Sequence, residues 1–211
     1  MFDSLIDNRN KKMLKRIASH PRDKRMTCLD DVKQLGIIFT VGSEKEWNVI
    51  HAFVKAMEQR KKKVFLIGYQ AYKQEINYIF THAQTTICHE KDDFTFWRRP
   101  KEGVIDGFAN RHYDLLIDTT AQPNFFAQYV AAKTVADLKV THCTATEGEP
   151  MLHNELLQVF DLIIRDNEGM DIQSFLSETL RYINMMKNSN PIRFFGYIRT
   201  NFNTLYNIFN D

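Results

Sequence analysis

The chain has 211 residues, 44% of them hydrophobic, with 28 Lys and Arg against 26 Asp and Glu. That suffices for one sizeable core, or one domain with appendages. It excludes a transmembrane class, since no apolar run approaches the roughly 18 residues of a membrane span.

Nor does a secretory h-region stand ahead of a small-residue cleavage site. Three cysteines without CxxC spacing point to reduced thiols. The expected location is the cytoplasm, with the inner face of the membrane as a variant of it. Phe2, Leu5, Ile6, Met13, Leu14 and Ile17 recur at approximate helical spacing with Lys11, Lys12, Lys15 and Arg16 between them. This predicts a basic amphipathic helix ended by Pro21. Between Arg9 and Arg25 eight basic residues face one acid, Asp23, so the basic character belongs to this arm. Residues 20–31 read as a polar linker.

Val32 to Val41 carries a continuously apolar strand, as expected where a strand is covered on both faces. Ser43 with Glu46 forms an S-x-x-E capping box for a helix whose apolar face is Trp47, Ile50, Phe53, Val54 and Met57. Arg60 to Lys63 then reads as a cationic helix end. Val64 to Ile67 is a second strand and Thr85 to Cys88 a third, with a short helix expected between them at Tyr72 to Phe80. Asp92 to Arg99 is irregular and aromatic, and Pro100 opens a short helix to about Asn110. Tyr113 to Ile117, a helix after the Asp118-Thr119-Thr120 turn, and a strand restarting at Leu138 compose one parallel β-α-β unit. Phe160 to Ile164 is the last strand and Ile172 to Ile183 the helix that packs on the sheet; Pro150 to Gln158 fits either helix or extended chain.

Alternating strands and helices predict an α/β fold: a doubly wound, mainly parallel Rossmann-like sheet with helices on both faces, ordered 3-2-1-4-5. Three segments follow: residues 1–31 as the basic helix and linker, 32–187 as the α/β domain, and 188–211 as an aromatic tail. In that tail Phe195, Ile198, Phe202, Leu205 and Phe209 form a heptad-like stripe that calls for a partner.

Asp93, Phe94, Trp97 and Pro100, spaced D-F-x-x-W-x-x-P, precede Tyr113, Asp114, Leu116, Ile117 and Asp118, spaced Y-D-x-L-I-D. With the alanine-rich helix leading into Lys139-Val140, they resemble an uncharacterised bacterial family of domains of unknown function over residues 32–187. The resemblance implies a Rossmann-like fold and carries no activity. Tyr113 to Val140 is also distantly similar to the acceptor-side domain of heptosyltransferase-type glycosyltransferases. There, however, Thr119-Thr120-Ala121 stands in place of the Gln-Gly of that group, and 211 residues leave no room for its nucleotide-sugar domain.

Ligands of open α/β sheets bind beyond the carboxyl ends of the strands. The candidate ligand-binding residues are therefore Thr40, Gly42 and Ser43 after the first strand and Asp118, Thr119 and Thr120 after the fourth. One glycine makes neither G-x-G-x-x-G nor a P-loop, but helix N-termini can hold an anion. The competing reading is that Ser43 and Thr120 only cap and Asp118 bonds its own turn. Cys88-His89 and His142-Cys143 end strands on opposite sides of the expected sheet, which disfavours a metal or Cys/His site.

No catalytic residue and no cofactor is assigned, and the chain reads as a binding or interaction protein. The rival is a glycosyltransferase-like enzyme or remnant taking a sugar phosphate or nucleotide at the Asp118 turn. A third reading is a peripheral membrane protein held by the basic arm and aromatic tail. The candidate partners are a small anionic ligand at the rim and a second copy or another protein at the terminal helices. Nucleic acid is disfavoured, because the arm lacks aromatic stacking residues beyond Phe2.

Overall fold

The computed structural model describes residues 2–19, 22–25, 27–71, 78, 84–120, 124–144, 159–166 and 169–186. Its centre is β1 (Gln34–Thr40), whose five middle residues are all buried. Such a strand must be covered on both faces, and it is. Parallel to it run β2 (Lys63–Gln70) on one side and β4 (His112–Asp118) on the other. β3 (Thr85–His89) extends the sheet beyond β2, and β5 (Val135–Thr144) with β6 (Leu162–Asp166) extends it beyond β4. The order is β3-β2-β1-β4-β5-β6, all parallel, so the chain reverses direction across the sheet between β1 and β4.

One face is covered by α2 (Glu44–Gln59) and α6 (Ile172–Met186). Trp47, Ile50, Val54 and Met57 of α2 and Phe175, Leu176 and Ile183 of α6 join Leu35, Ile37 and Phe39 of β1 in one buried cluster. At ~1.5–3 kcal/mol per large apolar side chain buried, α2 gains from this contact the stability that an isolated 16-residue helix lacks. The opposite face is covered by α5 (Phe125–Lys133) and the short α4 (Asp106–Ala109). There Phe126, Ala127, Val130 and Ala131 of α5 pack on Ile38, Ile67 and Leu116. Gly36 lets this layer close up: a Cβ on it would lie 2.8 Å from Leu116 Cδ1 and 3.1 Å from the Phe108 and Tyr113 rings.

The N-terminal arm is a docked helix, α1 (Phe2–Ala18), with Ile6, Asn10 and Leu14 buried. Its seat is the aromatic segment after α3 (Glu90–Asp93). Asn10 Nδ2 donates to the Trp97 carbonyl at 3.1 Å, Arg99 Nε donates to Asn10 Oδ1 at 2.8 Å, and the Arg9 guanidinium lies 4.7 Å from the Trp97 ring centroid.

Two local expectations are corrected. Of the basic run after α2, Arg60, Lys61 and Lys63 are exposed at the helix end as expected, and Lys62 alone is buried. The helix stops at Gln59, Lys61 takes a positive φ of 60°, and Lys62 turns inward to donate to the carbonyls of Leu29 (2.5 Å) and Val32 (2.8 Å). The segment read as a polar linker is correspondingly tied down, with Thr27, Cys28 and Leu29 buried. Pro100 opens no helix: it bridges antiparallel to Phe94, the chain turns at Gly103 with φ 87°, and only Asp106–Ala109 is helical. The helix expected at 72–80, the segment 150–158 and the stripe at 195–209 lie outside the described residues, Tyr78 excepted.

Candidate functional site

The carboxyl ends of β1 and β4 bring three of the six candidate rim residues into one bonded group. Ile38 of β1 is the partner of Asp118 in the ladder. The ladder then continues as a clasp, since Thr119 donates to the Ile38 carbonyl through both its backbone N–H (2.9 Å) and its hydroxyl (3.0 Å). Asp118 Oδ1 accepts from the backbone N–H (3.0 Å) and hydroxyl (2.8 Å) of Thr120, while its Oδ2 accepts from the Thr141 hydroxyl on β5 (3.1 Å). Asp118, Thr119 and Thr120 are 2%, 2% and 3% exposed, so this group lies beneath the surface. Thr40 is bonded elsewhere: its hydroxyl accepts at 3.3 Å from Nδ2 of Asn124, the cap of α5.

Burial is the dominant electrostatic fact about Asp118. It pushes the carboxyl up to about 6, against the opposing pull of the three hydrogen bonds from Thr120 and Thr141. A carboxyl with that value has the acidity of a general acid or base. Its oxygens are nevertheless committed to the turn and to the neighbouring strand.

Gly42 and Ser43 belong to a second bonded group, at the N-terminus of α2. The predicted capping box is present: Glu46 N donates to Ser43 Oγ at 3.2 Å, and Ser43 N donates to Glu46 Oε2 at 2.8 Å. The Glu46 carboxylate thereby takes the place over the helix N-terminus that an anion would take. It fills the space above Gly42 as well, where a Cβ would lie 2.0 Å from Glu46 Oε2. The Gly42 carbonyl accepts from the Tyr78 hydroxyl, whose acidity is lowered by burial and then by the nearby Glu46 and Glu44. The N-terminus of α5 is closed in the same manner, with Asn124 Oδ1 accepting from Ala127 N at 2.8 Å.

Both sequence motifs resolve into structural tasks. In Y-D-x-L-I-D, the Tyr113 hydroxyl donates to the Phe108 carbonyl (3.1 Å) and Asp114 Oδ2 accepts from Lys33 N and Gln34 N (2.6 and 2.8 Å), anchoring the start of β1. In D-F-x-x-W-x-x-P, Asp93 Oδ2 accepts from His89 N (2.7 Å) and Phe94 packs on Tyr69 and Phe126. Trp97 and Arg99 make the seat of α1 described above.

Cys88 on β3 and Cys143 on β5 are separated by β2, β1 and β4. Burial, then Asp93, drives the Cys88 thiol up to about 12, and burial raises that of Cys143 too. Among the described residues no three His, Cys, Asp or Glu side chains gather where they could hold a metal ion. No helix among them is long and apolar enough to cross a membrane.

Sequence reasoning missed Thr141 and Asn124, which reach the rim from β5 and α5. It also missed Lys139, buried in mid-strand with Arg22 and Asp161 beside it. A lysine inside the apolar run Leu138-Lys139-Val140 was the available signal.

No curated protein and no solved structure matches the chain. A family model does match, over residues 7–186, which runs from within α1 to the last residue of α6 and contains both motifs. The chain belongs to that family, a family of unknown function (DUF6913).

Proposed function

We propose that this chain is a binding protein whose carboxyl-end rim is structural, and that it does no chemistry through Asp118. The observation that carries this reading is the state of that carboxylate. It is 2% exposed, and it takes its hydrogen bonds from Thr120 and Thr141, both of the chain itself. A residue that holds a sugar hydroxyl or withdraws a proton must offer an oxygen to the ligand. Asp118 would have to break its own turn first, leaving buried hydroxyl and amide donors unpaired at ~1–3 kcal/mol each. The Glu46 carboxylate over the α2 N-terminus supports the same reading for a phosphate, because its negative charge opposes an anion there.

Thermal-shift measurements with a panel of sugar phosphates and nucleotides test the proposal. The expected result is that Asp118→Asn and Ser43→Ala keep whatever stabilisation a compound gives the parent, up to the ~2.7 kcal/mol that a hundredfold excess over the dissociation constant would add. A sugar phosphate or nucleotide that stabilises the parent but not Asp118→Asn or Ser43→Ala would overturn it in favour of a glycosyltransferase-like site.

A further inference from the structure

A cluster of basic side chains lies under α1, beside the first half of β5. A cavity of about 610 Å³ opens there between the end of α1, the end of α5 and β5. Arg16, Arg22, Lys133 and Lys139 line it, and no described carboxylate does. Helix C-termini attract cations, which accounts for Arg16 and Lys133 in the last turns of α1 and α5. Arg22, beyond α1, pairs with Asp161 and donates to the Ala136 carbonyl at 2.7 Å, and Lys139 reaches the cavity from inside a buried strand.

From this cluster of four basic side chains around one cavity we infer a binding site for a phosphate-bearing anion, which gives the binding reading above a place and a ligand class. Asp161, the carboxylate behind the wall, is already divided among several donors. Arg22 pairs with its Oδ2, Lys24 Nζ lies 2.9 Å from its Oδ1, and the Lys139 backbone N–H donates to Oδ2 at 2.9 Å. Lys139 is 2% exposed, and its ammonium donates to the Ala131 carbonyl of α5 at 2.5 Å. Burial pulls its pKa down to about 7. Arg22 and Lys24 pull the same way, and Asp161 opposes them. Near neutral pH Lys139 is only partly protonated, so among the described residues Arg16, Arg22, Lys24 and Lys133 set against Asp161 carry the excess positive charge, and an anion beside Lys139 would draw it to the charged form. Phosphate suits the donors present, because a guanidinium can engage it in bidentate fashion and an ammonium as a point charge. The volume admits a small phosphorylated compound or the headgroup of an anionic lipid.

The test uses the full chain and two probes. Pyrophosphate is titrated calorimetrically, and flotation is measured with phosphatidylcholine vesicles carrying or lacking phosphatidic acid. The expected result is binding of at least one probe, weakened tenfold or more in Arg16→Ala/Lys133→Ala and in Lys139→Met. The double variant changes exposed helix ends, so it reports even if Lys139→Met fails to fold. Pyrophosphate binding marks a free phosphate compound; flotation that requires phosphatidic acid, without pyrophosphate binding, marks a headgroup. Binding of neither probe, or binding that the double variant leaves intact, overturns the inference. Loss of all binding leaves the rim reading standing, whereas pyrophosphate binding abolished by Ser43→Ala would overturn both.

Discussion

Asp118→Asn tests, through the pH dependence of stability, whether burial controls this carboxyl. In the folded chain the Asp118 carboxyl is raised from 3.8 to about 6, chiefly by burial. A raised folded value means the native state holds the proton more tightly than the unfolded chain. The contribution to stability is therefore fully present below 3.8 and is lost as pH rises through about 6. At about 1.4 kcal/mol per pH unit, the gap between those values corresponds to a loss of roughly 3 kcal/mol. Asparagine has no charge to bury at any pH. Its Oδ1 can accept from Thr120 N and Oγ, and its Nδ2 can donate to Thr141 Oγ once that hydroxyl turns. Urea denaturation of parent and variant from pH 4 to pH 7.5 gives the difference between them, in which every other titrating group cancels. That difference is expected to move in favour of asparagine by roughly 2–3 kcal/mol between those two pH values. A constant difference, or one moving towards the parent, would refute the argument that burial controls this carboxyl.

Lys62→Met removes the donor shared by the Leu29 and Val32 carbonyls and should lower the denaturation free energy by ~1–3 kcal/mol; an unchanged urea midpoint would contradict the inward placement of that side chain. Gly36→Ala places a methyl 2.8 Å from Leu116 Cδ1 and should cost ~1–3 kcal/mol by the same measurement. Asn10→Ala removes both side-chain bonds between α1 and the Trp97–Arg99 segment, so proteolysis within α1 should quicken at unchanged core stability. Deleting residues 191–211, with their apolar stripe, should lower the melting temperature or bring aggregation; a shortened chain equally stable and soluble would show that the stripe has no partner in this protein.

Local physics made the sheet legible in the sequence. Leu35 to Phe39 and Leu115 to Ile117 are apolar without interruption because both faces of their strands are covered, and Ser43 with Glu46 announces a helix start within four residues. Asp118 could be placed at the end of its strand on the same grounds. Its partner Thr141 could not, because that hydroxyl lies on the next strand, 23 residues away. The docking of α1 depends on Asn10 meeting Trp97 and Arg99 across 87 and 89 residues, and no local period carries such a pairing. Lys62 misled for a different reason. A run of four cations reads as surface, and only the carbonyls of a segment 30 residues earlier make its burial tolerable. Arg22, Lys139 and Asp161 belong to this second kind, since each is explicable only by the others.

On the proposed reading, the rim at Asp118 is closed structure and the anion site is the basic cavity. Backbone amide NMR during a pyrophosphate titration tests both halves at once. Shifts confined to residues around Arg16, Arg22, Lys133 and Lys139, with Thr40 to Ser43 and Asp118 to Thr120 unmoved, are the expected result. Shifts centred on Gly42, Ser43 and Thr120 instead, with the cavity residues still, would contradict it.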